Sequence, residues 1–453
     1  MASEKISITF AAGAGTVTGA NFFVEGAGKH FLVDCGLVQS EKLADDLNWN
    51  DFPYDPKNVD TLFVTHAHID HVGRIPKLYH DGFRGKIVSS IPTKDLAAVM
   101  LEDTINILSH EKTGELKKMY NMETLHEIMK LWETREFHEP FQYGPWKVSL
   151  KDAGHILGSA MYTFTLNGKN LVFTGDLGNS PSPLLPDTEP IQADYMIMES
   201  VYGERNHEGR NERKKKLEAV LEDNYKRKGT LVIPTFSLER TQELLFEIND
   251  LVENRRIPFM PLFLDSPLGI RLTDIYQKHS RYFNTGAREL IKKGDDIFSF
   301  PGLKMTIETA ESKGIYHAPN PKIVIAGSGM SNGGRVIHHE QNYLPDPNNT
   351  LLLTGFQSLG TLGRQIEDGK KEVRIFGVEV PVRAHVEKIS GYSGHKDSDH
   401  LIDFLQNTAE TLKKVFVCMG EPKSAAFLAQ RLRDGLGINA YPPTAGEKIE
   451  IEL

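Results

Sequence analysis

Short apolar runs and helical repeats alternate from one end of the chain to the other, and together they predict an α/β protein. Runs rich in β-branched and aromatic residues predict buried strands. They lie at 6–10, 30–34, 61–65, 161–166, 170–174, 195–199, 230–234, 322–326 and 414–418. A helical spacing of apolar residues predicts helices at 93–110, 115–135, 210–227, 238–253 and 422–435. Strands that alternate with helices in this way are typical of the α/β class.

Size and composition indicate a soluble protein of more than one domain. The chain has 453 residues, which exceeds one ordinary hydrophobic core. Hydrophobic residues make up 40% and charged residues 25%, as in globular proteins. No apolar stretch approaches the ~20 residues that a bilayer requires, so we expect no association with a membrane.

The cysteine content and the first residues bear on the compartment. Only two cysteines occur, Cys35 and Cys418, which excludes a disulfide framework. The N-terminal stretch M-A-S-E-K-I-S-I-T-F lacks the basic start and the long apolar region of a signal peptide. We therefore expect a cytoplasmic protein in a reducing environment.

The charge distribution gives little sign of a polyanion partner. The net charge is −9, which argues against broad electrostatic attraction to nucleic acid but leaves room for a local basic groove. The most charge-dense segment, 204–216, carries both signs. A solvated helix start is favoured for it over a substrate-binding patch.

One stretch of nine residues carries the strongest chemical signal. Residues 65–73 read T-H-A-H-I-D-H-V-G and come directly after the apolar run T-L-F-V (61–64) of a predicted strand. They place His66, His68, Asp70 and His71 within six positions. Neutral imidazole nitrogen and carboxylate oxygen are the ligands of catalytic zinc. A histidine-rich surface loop is the alternative, but this density of ligands after a strand favours a metal centre.

Further candidate ligands stand where other strands begin or end. His155 lies in D-A-G-H before a predicted strand, whereas Asp176 follows one in T-G-D-L-G and Asp34 ends one at D-C-G. Each residue alone could be an ordinary turn residue.

Together with the cluster, these residues predict two zinc sites. Asp34 is expected to orient a ligand imidazole by accepting its hydrogen bond. The expected ligands are His66, His68 and His155 for one zinc, Asp70 and His71 for the second, and Asp176 as a bridge. A metal pair of this kind can act on both sides of a displacement at phosphorus.

The order of these motifs resembles the metallo-β-lactamase superfamily over about the first 200 residues. The resemblance implies an αββα sandwich with the metals at one edge of its two sheets. Members of this superfamily hydrolyse many kinds of substrate. The ligands therefore imply hydrolysis but do not identify the substrate.

Later motifs are similar to those of the β-CASP subgroup, and in particular to prokaryotic nucleases akin to the cleavage and polyadenylation specificity factor. The motifs are M-E-S-V-Y-G (198–203), P-T-F-S-L-E-R-T-Q-E (234–243), D-S-P-L (265–268), G-S-G-M-S-N-G-G-R (327–335), G-F-Q-S-L-G-T-L-G-R (355–364) and I-S-G-Y-S-G-H-K-D (389–397). The resemblance implies an α/β β-CASP domain at 204–380, inserted into a metallo-β-lactamase domain formed by 1–203 and 381–453. It also implies hydrolysis of phosphodiester bonds, usually of RNA, exo- or endonucleolytically, with a single strand in the cleft between the domains.

The resemblance assigns the proton chemistry to two more residues. His395 matches the motif B histidine and is expected to protonate the leaving oxygen. Glu199 matches the motif A acid and is expected to pair with it. From the residues alone, Glu199 could be a surface acid and His395 a loop residue before a helix. The candidate catalytic residues are Asp70, Glu199 and His395.

Glycine-rich loops and neighbouring arginines are candidates for contact with the phosphates of a strand. Backbone amides and hydroxyl groups in such loops can receive phosphate. Tight turns between layers are the alternative for any one of these loops. The expected substrate contacts are Arg240, Ser328, Ser331, Arg335 and Arg364.

The chain departs from the family at motif C. Relatives carry a histidine ligand of the second zinc, but this chain reads V-C-M-G-E, with Met419 in that place. A thioether is a weak zinc ligand. The adjacent Cys418 could ligate only if the strand end twists, and a buried structural cysteine is the other interpretation. We therefore expect the second zinc to bind weakly or with an extra water.

Three functions remain compatible with the sequence. A zinc-dependent ribonuclease is favoured, with RNA preferred to DNA as partner. A nuclease of DNA, or of both polymers, is the second, because DNA-directed members carry an apolar residue at motif C. A nucleic-acid-binding protein with weakened hydrolysis is the third. The resemblance also implies a homodimer.

Overall fold

The computed structural model describes residues 4–39, 44–111, 114–207, 209–355, 357–358, 360–406 and 408–453. Predictions that fall on residues 208, 356 and 359 lie outside the described residues. The chain divides into two compact units. The first unit comprises Met1–Ser182, Pro186–Asn206 and His395–Leu453, and the second comprises Pro183–Leu185 and His207–Gly394.

The first unit contains two sheets, and the first of them has seven strands within the described residues. They are β1 (Lys5–Ala12), β2 (Asn21–Gly26), β3 (Lys29–Val33), β4 (Thr61–Phe63), β5 (Lys86–Ser90), β6 (Trp132–Arg135) and β22 (Lys448–Glu452). Their order across the sheet is β22-β1-β2-β3-β4-β5-β6. Strands β3 to β6 run parallel, so their carboxyl ends meet at one edge.

The second sheet also has seven strands among the residues described. They are β7 (Phe141–Tyr143), β8 (Trp146–Asp152), β9 (Ala160–Leu166), β10 (Lys169–Phe173), β11 (Tyr195–Glu199), β20 (Lys414–Cys418) and β21 (Ala440–Tyr441). Their order is β21-β20-β11-β10-β9-β8-β7. Strands β10, β11 and β20 run parallel, and the loops that follow them therefore lie side by side.

An aromatic core joins the inner faces of the two sheets. Phe31 and Phe63 of the first sheet and Phe164 of the second are fully buried in it. The rings of Phe31 and Phe164 stack with centroids 4.6 Å apart, and Phe63 meets Phe164 edge-on at 4.9 Å. Burial of such large apolar side chains is the main favourable term that holds the sheets face to face.

Helices cover the outer faces of this sandwich. Leu401 of α14 (Ser398–Gln406) and Leu428 of α15 (Pro422–Leu436) pack with Val172 and Val415 on the second sheet, and α4 (Ile91–Glu111) contacts β5 and β6 of the first. The unit is therefore an αββα sandwich, as expected. Its helices are α1 (Ala44–Trp49), α2 (Ile69–Val72), α3 (Ile75–His80), α4 (Ile91–Glu111), α5 (Gly114–Met119), α6 (Met122–Lys130), α14 (Ser398–Gln406) and α15 (Pro422–Leu436), with a 3₁₀ turn at Pro56–Asn58.

The second unit is built on a parallel sheet. Its strands are β12 (Thr230–Pro234), β13 (Leu262–Asp265), β14 (Leu303–Met305), β15 (Lys322–Ala326), β16 (Thr350–Leu353) and β19 (His385–Lys388), and a hairpin is formed by β17 (Glu372–Ile375) and β18 (Val378–Pro381). The parallel strands lie in the order β14-β13-β15-β12-β16-β19. The helices are α7 (Arg210–Arg227), α8 (Arg240–Glu253), α9 (Pro267–Lys278), α10 (Thr285–Lys292), α11 (Thr309–Gly314), α12 (Val336–Tyr343) and α13 (Leu362–Glu367), with 3₁₀ turns at Ser280–Tyr282, Ile315–His317 and Ser390–Tyr392.

The chain enters and leaves the second unit through two segments that are bound to each other within the first unit. The amide of Ser398 donates to the carbonyl of Arg205 at 3.1 Å, and its hydroxyl donates to the carbonyl of Gly203 at 2.6 Å. The amide of the Asn206 side chain donates to Asp399 at 2.7 Å. The two ends of the inserted segment therefore lie together.

Most predicted elements are confirmed, and one is wrong. Each predicted strand is present within two residues at either end, and so are four of the predicted helices. The predicted helix at 115–135 is instead α5, α6 and the edge strand β6. The side chain of Asn121 accepts a hydrogen bond from the amide of Thr124 at 2.9 Å and so begins a new helix. Residues 132–135 pair with β5, because pairing at the edge of the first sheet outweighs the helix propensity of this segment.

Among the residues described, we find no helix with the length and apolar character needed to cross a bilayer.

The aromatic core yields a test of stability. Replacing Phe164 with alanine removes a buried ring that contacts both Phe31 and Phe63, and should destabilise the chain by about 3–5 kcal/mol. Urea unfolding followed by fluorescence measures the loss. Phe427→Ala is the matched control, because that ring is 44% exposed on α15 of the same unit. Equal losses for both variants would contradict the importance of this core.

Candidate metal centre

Four predicted ligands from three separate loops meet at one point of the first unit. His66 and His68 follow β4, His155 lies between β8 and β9, and Asp176 follows β10. The Nδ1 atom of His68 lies 3.1 Å from Nε2 of His66 and 3.2 Å from Nε2 of His155. One ligand atom from each of the four residues lies within 4.8 Å of the others. This spacing suits a single metal ion held by three imidazoles and a carboxylate.

The second predicted set lies beside the first and shares Asp176. The Oδ2 atom of Asp176 is 3.4 Å from Nε2 of His66, whereas its Oδ1 atom is 3.4 Å from Nε2 of His71. Asp70 lies on α2, and its Oδ2 atom is 3.9 Å from the same nitrogen of His71. The carboxylate of Asp176 thus faces both sets of ligands.

The donor atoms of this second set fit a metal ion. Nε2 of His71 and Oδ1 of Asp176 are buried, and neither has a hydrogen-bond partner among the described residues. Nδ1 of His71 donates to Oδ2 of Asp34 at 2.8 Å, so Nε2 is the nitrogen that can hold either a proton or a metal ion. Because Nε2 faces a carboxylate oxygen, a proton or a metal ion between the two atoms removes the repulsion of their lone pairs.

The carboxylates around His71 favour a positive charge there, which either a proton or a metal ion can supply. Burial opposes the charged form of the ring, but the carboxylates of Asp176 and Asp34 outweigh burial and raise the pKa of His71 well above its ordinary value. Burial likewise opposes the charged form of Asp176, but His71 and His66 outweigh it and hold the pKa of that carboxyl well below its ordinary value. Asp176 therefore stays negative at neutral pH.

The first set has the protonation state that metal binding requires. Burial lowers the pKa of His68 well below its ordinary value, and the neighbouring His66 adds to the effect. Burial also lowers the pKa of His155, with a further contribution from His395. Both rings are neutral at pH 7, which is the form that donates a nitrogen lone pair.

Asp34 and Thr65 fix the ligand rings from behind. The carboxylate of Asp34 accepts from the amide of Thr65 at 2.8 Å and from its hydroxyl at 2.7 Å, in addition to the ring of His71. The Thr65 hydroxyl also lies 3.0 Å from Nδ1 of His66. Thr65 was missed by the sequence analysis, although it is the first letter of the T-H-A-H motif. These bonds hold both imidazoles on a rigid strand end.

The predicted proton-donor pair is formed next to the ligands. Nδ1 of His395 lies 3.2 Å from each carboxylate oxygen of Glu199 and 3.9 Å from Oδ2 of Asp176. The amide of Leu177 donates to Glu199 at 2.6 Å and fixes its position. Burial disfavours the charged ring, but Glu199 outweighs it and raises the pKa of His395 to about 9. With 23% of its side chain exposed, the ring can reach a substrate.

Met419 and Cys418 occupy the motif C position without presenting a strong metal ligand. Met419 is buried in the apolar core, and its amide donates to the carbonyl of Gly13 at 2.7 Å. Burial raises the pKa of the Cys418 thiol well above its ordinary value, so it is not a thiolate. A cavity of about 10 Å³ lies beside both residues and is also lined by His71 and Glu199. The second set therefore lacks an imidazole on this side.

Three of the predicted substrate contacts are used inside the second unit. Arg240 is buried, pairs with Glu243 and lies over the ring of Tyr392. Ser331 is buried and donates to Glu340.

Arg335 is likewise engaged, because it donates to Asp265 at 2.7 Å and to the carbonyl of Ile307 at 2.5 Å. Its guanidinium and the polar groups of Arg240 and Ser331 therefore stabilise the fold of this unit, and their contact with a strand stays a prediction. Ser328 accepts from the amide of Asn332, and Arg364 pairs with Asp368 at the surface.

The orientation of His71 by Asp34 can be tested through metal affinity. Asp34→Asn keeps the shape and suits the left-handed backbone at this position, but it removes the charge and one acceptor oxygen. Metal affinity should fall roughly 10- to 100-fold, as measured by competition with a chromogenic chelator. Asp60→Asn is the matched control, since Asp60 also accepts from a backbone amide but lies at the opposite end of β4. An unchanged affinity in Asp34→Asn would refute the assigned role.

Comparisons with known proteins agree with this geometry. Residues 14–221 match the model of the metallo-beta-lactamase superfamily, residues 241–366 match the Beta-Casp domain, and residues 379–443 match the Zn-dependent metallo-hydrolase RNA specificity domain. A crystal structure of a protein of unknown function from Enterococcus faecalis V583 has a similar fold, with a TM-score of 0.58 at 13% identity over 99% of this chain and 100% of that one.

Several curated proteins are similar over most of their length. Ribonuclease TTHA0252 of Thermus thermophilus is 37% identical over 86% of this chain and 88% of its own. The RNase J-like protein of Methanocaldococcus jannaschii is 30% identical over 93% of this chain and 94% of its own. Transcription termination factor FttA of Methanosarcina mazei is 29% identical over 99% of this chain and 72% of its own. The chain therefore belongs to the metallo-β-lactamase superfamily and, within it, to the β-CASP proteins.

Proposed function

We propose that this protein is a zinc-dependent ribonuclease that hydrolyses phosphodiester bonds of single-stranded RNA. The observation that carries the proposal is the convergence of three imidazoles on the carboxylate of Asp176, with the Glu199–His395 pair at the same carboxylate. The names of the relatives, a ribonuclease and an RNase J-like protein, support RNA as the substrate.

Zinc is the metal that best suits the donor atoms. Imidazole nitrogen and carboxylate oxygen in a buried site are typical zinc ligands, and no thiolate is offered. We propose two ions per chain. The ligands would be His66, His68, His155 and Asp176 for the first, and Asp70, His71 and Asp176 for the second. When bound, zinc supplies a Lewis acid for the phosphate and makes water a stronger nucleophile at neutral pH.

The protein's own groups would orient the reactants and move a proton. Asp70 lies at the rim of the second set, where its carboxylate can accept a hydrogen bond from the attacking water. His395 would donate a proton to the leaving oxygen, and its raised pKa keeps the ring protonated at pH 7. Glu199 holds Nδ1, so Nε2 is the nitrogen that can face the substrate.

Strand contacts and cellular context are the finer parts of the proposal. Ser328 and Arg364 remain candidates for phosphate contact. The proposal includes cleavage at the end of an RNA strand and cleavage inside it. We also propose a cytoplasmic location and a homodimer. The cytoplasmic location is supported by Cys35 and Cys418, which are both buried and form no disulfide.

A nuclease that acts on DNA, or on both polymers, is the second candidate. It is favoured by Met419, because the apolar residue at motif C resembles that of DNA-directed relatives. A nucleic-acid-binding protein with weakened hydrolysis follows from the same observation if the second zinc fails to bind.

One assay decides among these functions. RNA and DNA strands of equal sequence, labelled at the 5′ or 3′ end, are incubated with the zinc-loaded protein and with protein treated with a chelator. We expect RNA to be cleaved, and the cleavage to depend on metal. Cleavage of DNA alone would support the second candidate, and tight binding of RNA without cleavage of either polymer would support the third.

If His395 donates the proton, its removal should affect the cleavage rate but not the amount of bound zinc. His395→Ala should lower the cleavage rate roughly 10²- to 10⁴-fold while bound zinc, measured by elemental analysis, stays unchanged. His68→Ala should abolish activity and also lower bound zinc. His400→Ala is the matched control, because His400 pairs with Asp397 through Nδ1 much as His395 pairs with Glu199. A rate in His395→Ala equal to that of the control would exclude proton donation by this ring.

The role of Met419 predicts a gain of metal. Met419→His places an imidazole beside the cavity that His71 lines, and should raise the zinc content per chain toward two. Met419→Leu is the control, since it preserves apolar packing without adding a ligand. An unchanged zinc content in Met419→His would count against the proposed weakness of the second site.

A further inference from the structure

The direction of the strand connections reverses at the carboxyl edge of the second unit's sheet, which is the topology that leaves a crevice between adjacent loops. From β12 the chain passes through α8 to β13, on one side of β12. From the neighbouring β15 it passes through α12 to β16, on the other side. Two adjacent strands whose connections lead in opposite directions leave a crevice between the loops that follow them. In open α/β sheets, ligands bind in such crevices.

An exposed aromatic ring stands at this crevice. Phe236 is the second residue after β12, and 40% of its surface is exposed although most apolar residues of the unit are buried. Its backbone is fixed, because its carbonyl accepts from the hydroxyl of Thr241 at 2.8 Å and from the amide of the same residue at 3.3 Å. The ring is therefore displayed from a rigid support rather than from a mobile loop.

Glycines from the two adjacent loops lie beside this ring, and the closer one, Gly329, leaves space for it. A Cβ atom at Gly329, in the loop after β15, would lie 2.7 Å from Cδ2 of Phe236 and 2.8 Å from its amide nitrogen. A Cβ atom at Gly355, in the loop after β16, would lie 3.6 Å from Cε2, which is an ordinary van der Waals contact, so this loop also borders the ring. Because no side chain fits at position 329, the backbone of Gly329 lies against one edge of the Phe236 ring. One flat face of the ring can therefore stay open to a ligand.

Small hydroxyl groups complete the crevice. The Ser237 hydroxyl lies 3.2 Å from the hydroxyl of Ser266, which follows β13. A Cβ atom at Gly327 would lie 3.2 Å from the same Ser237 oxygen, so this hydroxyl is close to the backbone after β15. Hydroxyl groups next to a flat apolar ring suit a ligand that has both a planar face and polar edges.

We propose that Phe236 is a stacking platform for one unpaired base of the RNA strand, an inference that rests on the proposed ribonuclease function. Every base has an aromatic face, so stacking on Phe236 binds a single strand without selecting its sequence. A base in a duplex is already stacked on its neighbours, and such a platform therefore favours single strands. Phe236 acts as a positioning residue that holds the strand and takes no part in bond cleavage.

The test compares side chains at 236 in the full-length, zinc-loaded protein. The probe is a set of single-stranded RNA oligomers with a phosphorothioate backbone, in which 2-aminopurine replaces one base at a time. We expect the fluorescence of 2-aminopurine at one position to be quenched on binding to the unsubstituted protein and to stay unquenched with Phe236→Ala. Binding to Phe236→Ala should be roughly 5- to 150-fold weaker, the effect of losing one base–aromatic stack.

Two further variants separate stacking from apolar bulk. Phe236→Trp should bind as tightly as the unsubstituted protein, whereas Phe236→Leu should bind as weakly as the alanine variant, because only the former keeps an aromatic face. Their comparison still decides the matter if Phe236→Ala fails to fold. Phe259→Ala is the matched control. Phe259 is 67% exposed in the same unit and also packs beside a glycine, but it lies before β13, at the amino edge of the sheet.

Cleavage of unmodified RNA is followed in the same preparations. Phe236→Ala should raise KM and leave kcat nearly unchanged. Normal KM and binding in Phe236→Ala, or equal binding by the leucine and tryptophan variants, would overturn the stacking proposal and leave the proposed ribonuclease function intact. Absence of RNA cleavage by the unsubstituted protein would instead overturn the proposed function itself.

Discussion

The carboxylate of Asp176 is the group on which the rest of the site depends. One of its oxygens faces His66 and His155, the other faces His71, and the Glu199–His395 pair lies against the same group. A single buried negative charge thus serves both sets of ligands and favours the positive charge on the ring of His395. Its burial makes this attraction strong, because few water molecules screen it.

The geometry of the two sheets brings this carboxylate to its partners. Strands β4 and β10 belong to different sheets, yet the loops after both carry ligands to one edge. The aromatic core fixes the distance between the sheets, and hydrogen bonds of Asp34 fix the ring of His71 behind them. Stability and chemistry are coupled in this unit, since a shift of one sheet against the other would separate the ligands from each other.

The sequence predicted those parts of the molecule whose signal is local. The residues that meet at the candidate metal centre could be predicted because His66, His68, Asp70 and His71 are close in the chain, and because His155 and Asp176 adjoin strands. The roles of Arg240, Ser331 and Arg335 could not, because their partners, among them Asp265 and Glu340, are distant in sequence or hidden by burial. Phe236 was overlooked for the opposite reason. An apolar residue after a strand is usually in the core, and only the folded chain reveals that this ring is exposed.

The contact between the segments on either side of the insert has an evolutionary consequence. Because Arg205 and Ser398 are already joined in the first unit, a chain of almost any length can run between them at a small cost in loop-closure entropy. The sandwich can thus accept, enlarge or exchange a whole domain at this junction without disturbing its own folding. The same sandwich can in this way act on very different polymers and small molecules, because the inserted domain selects the substrate.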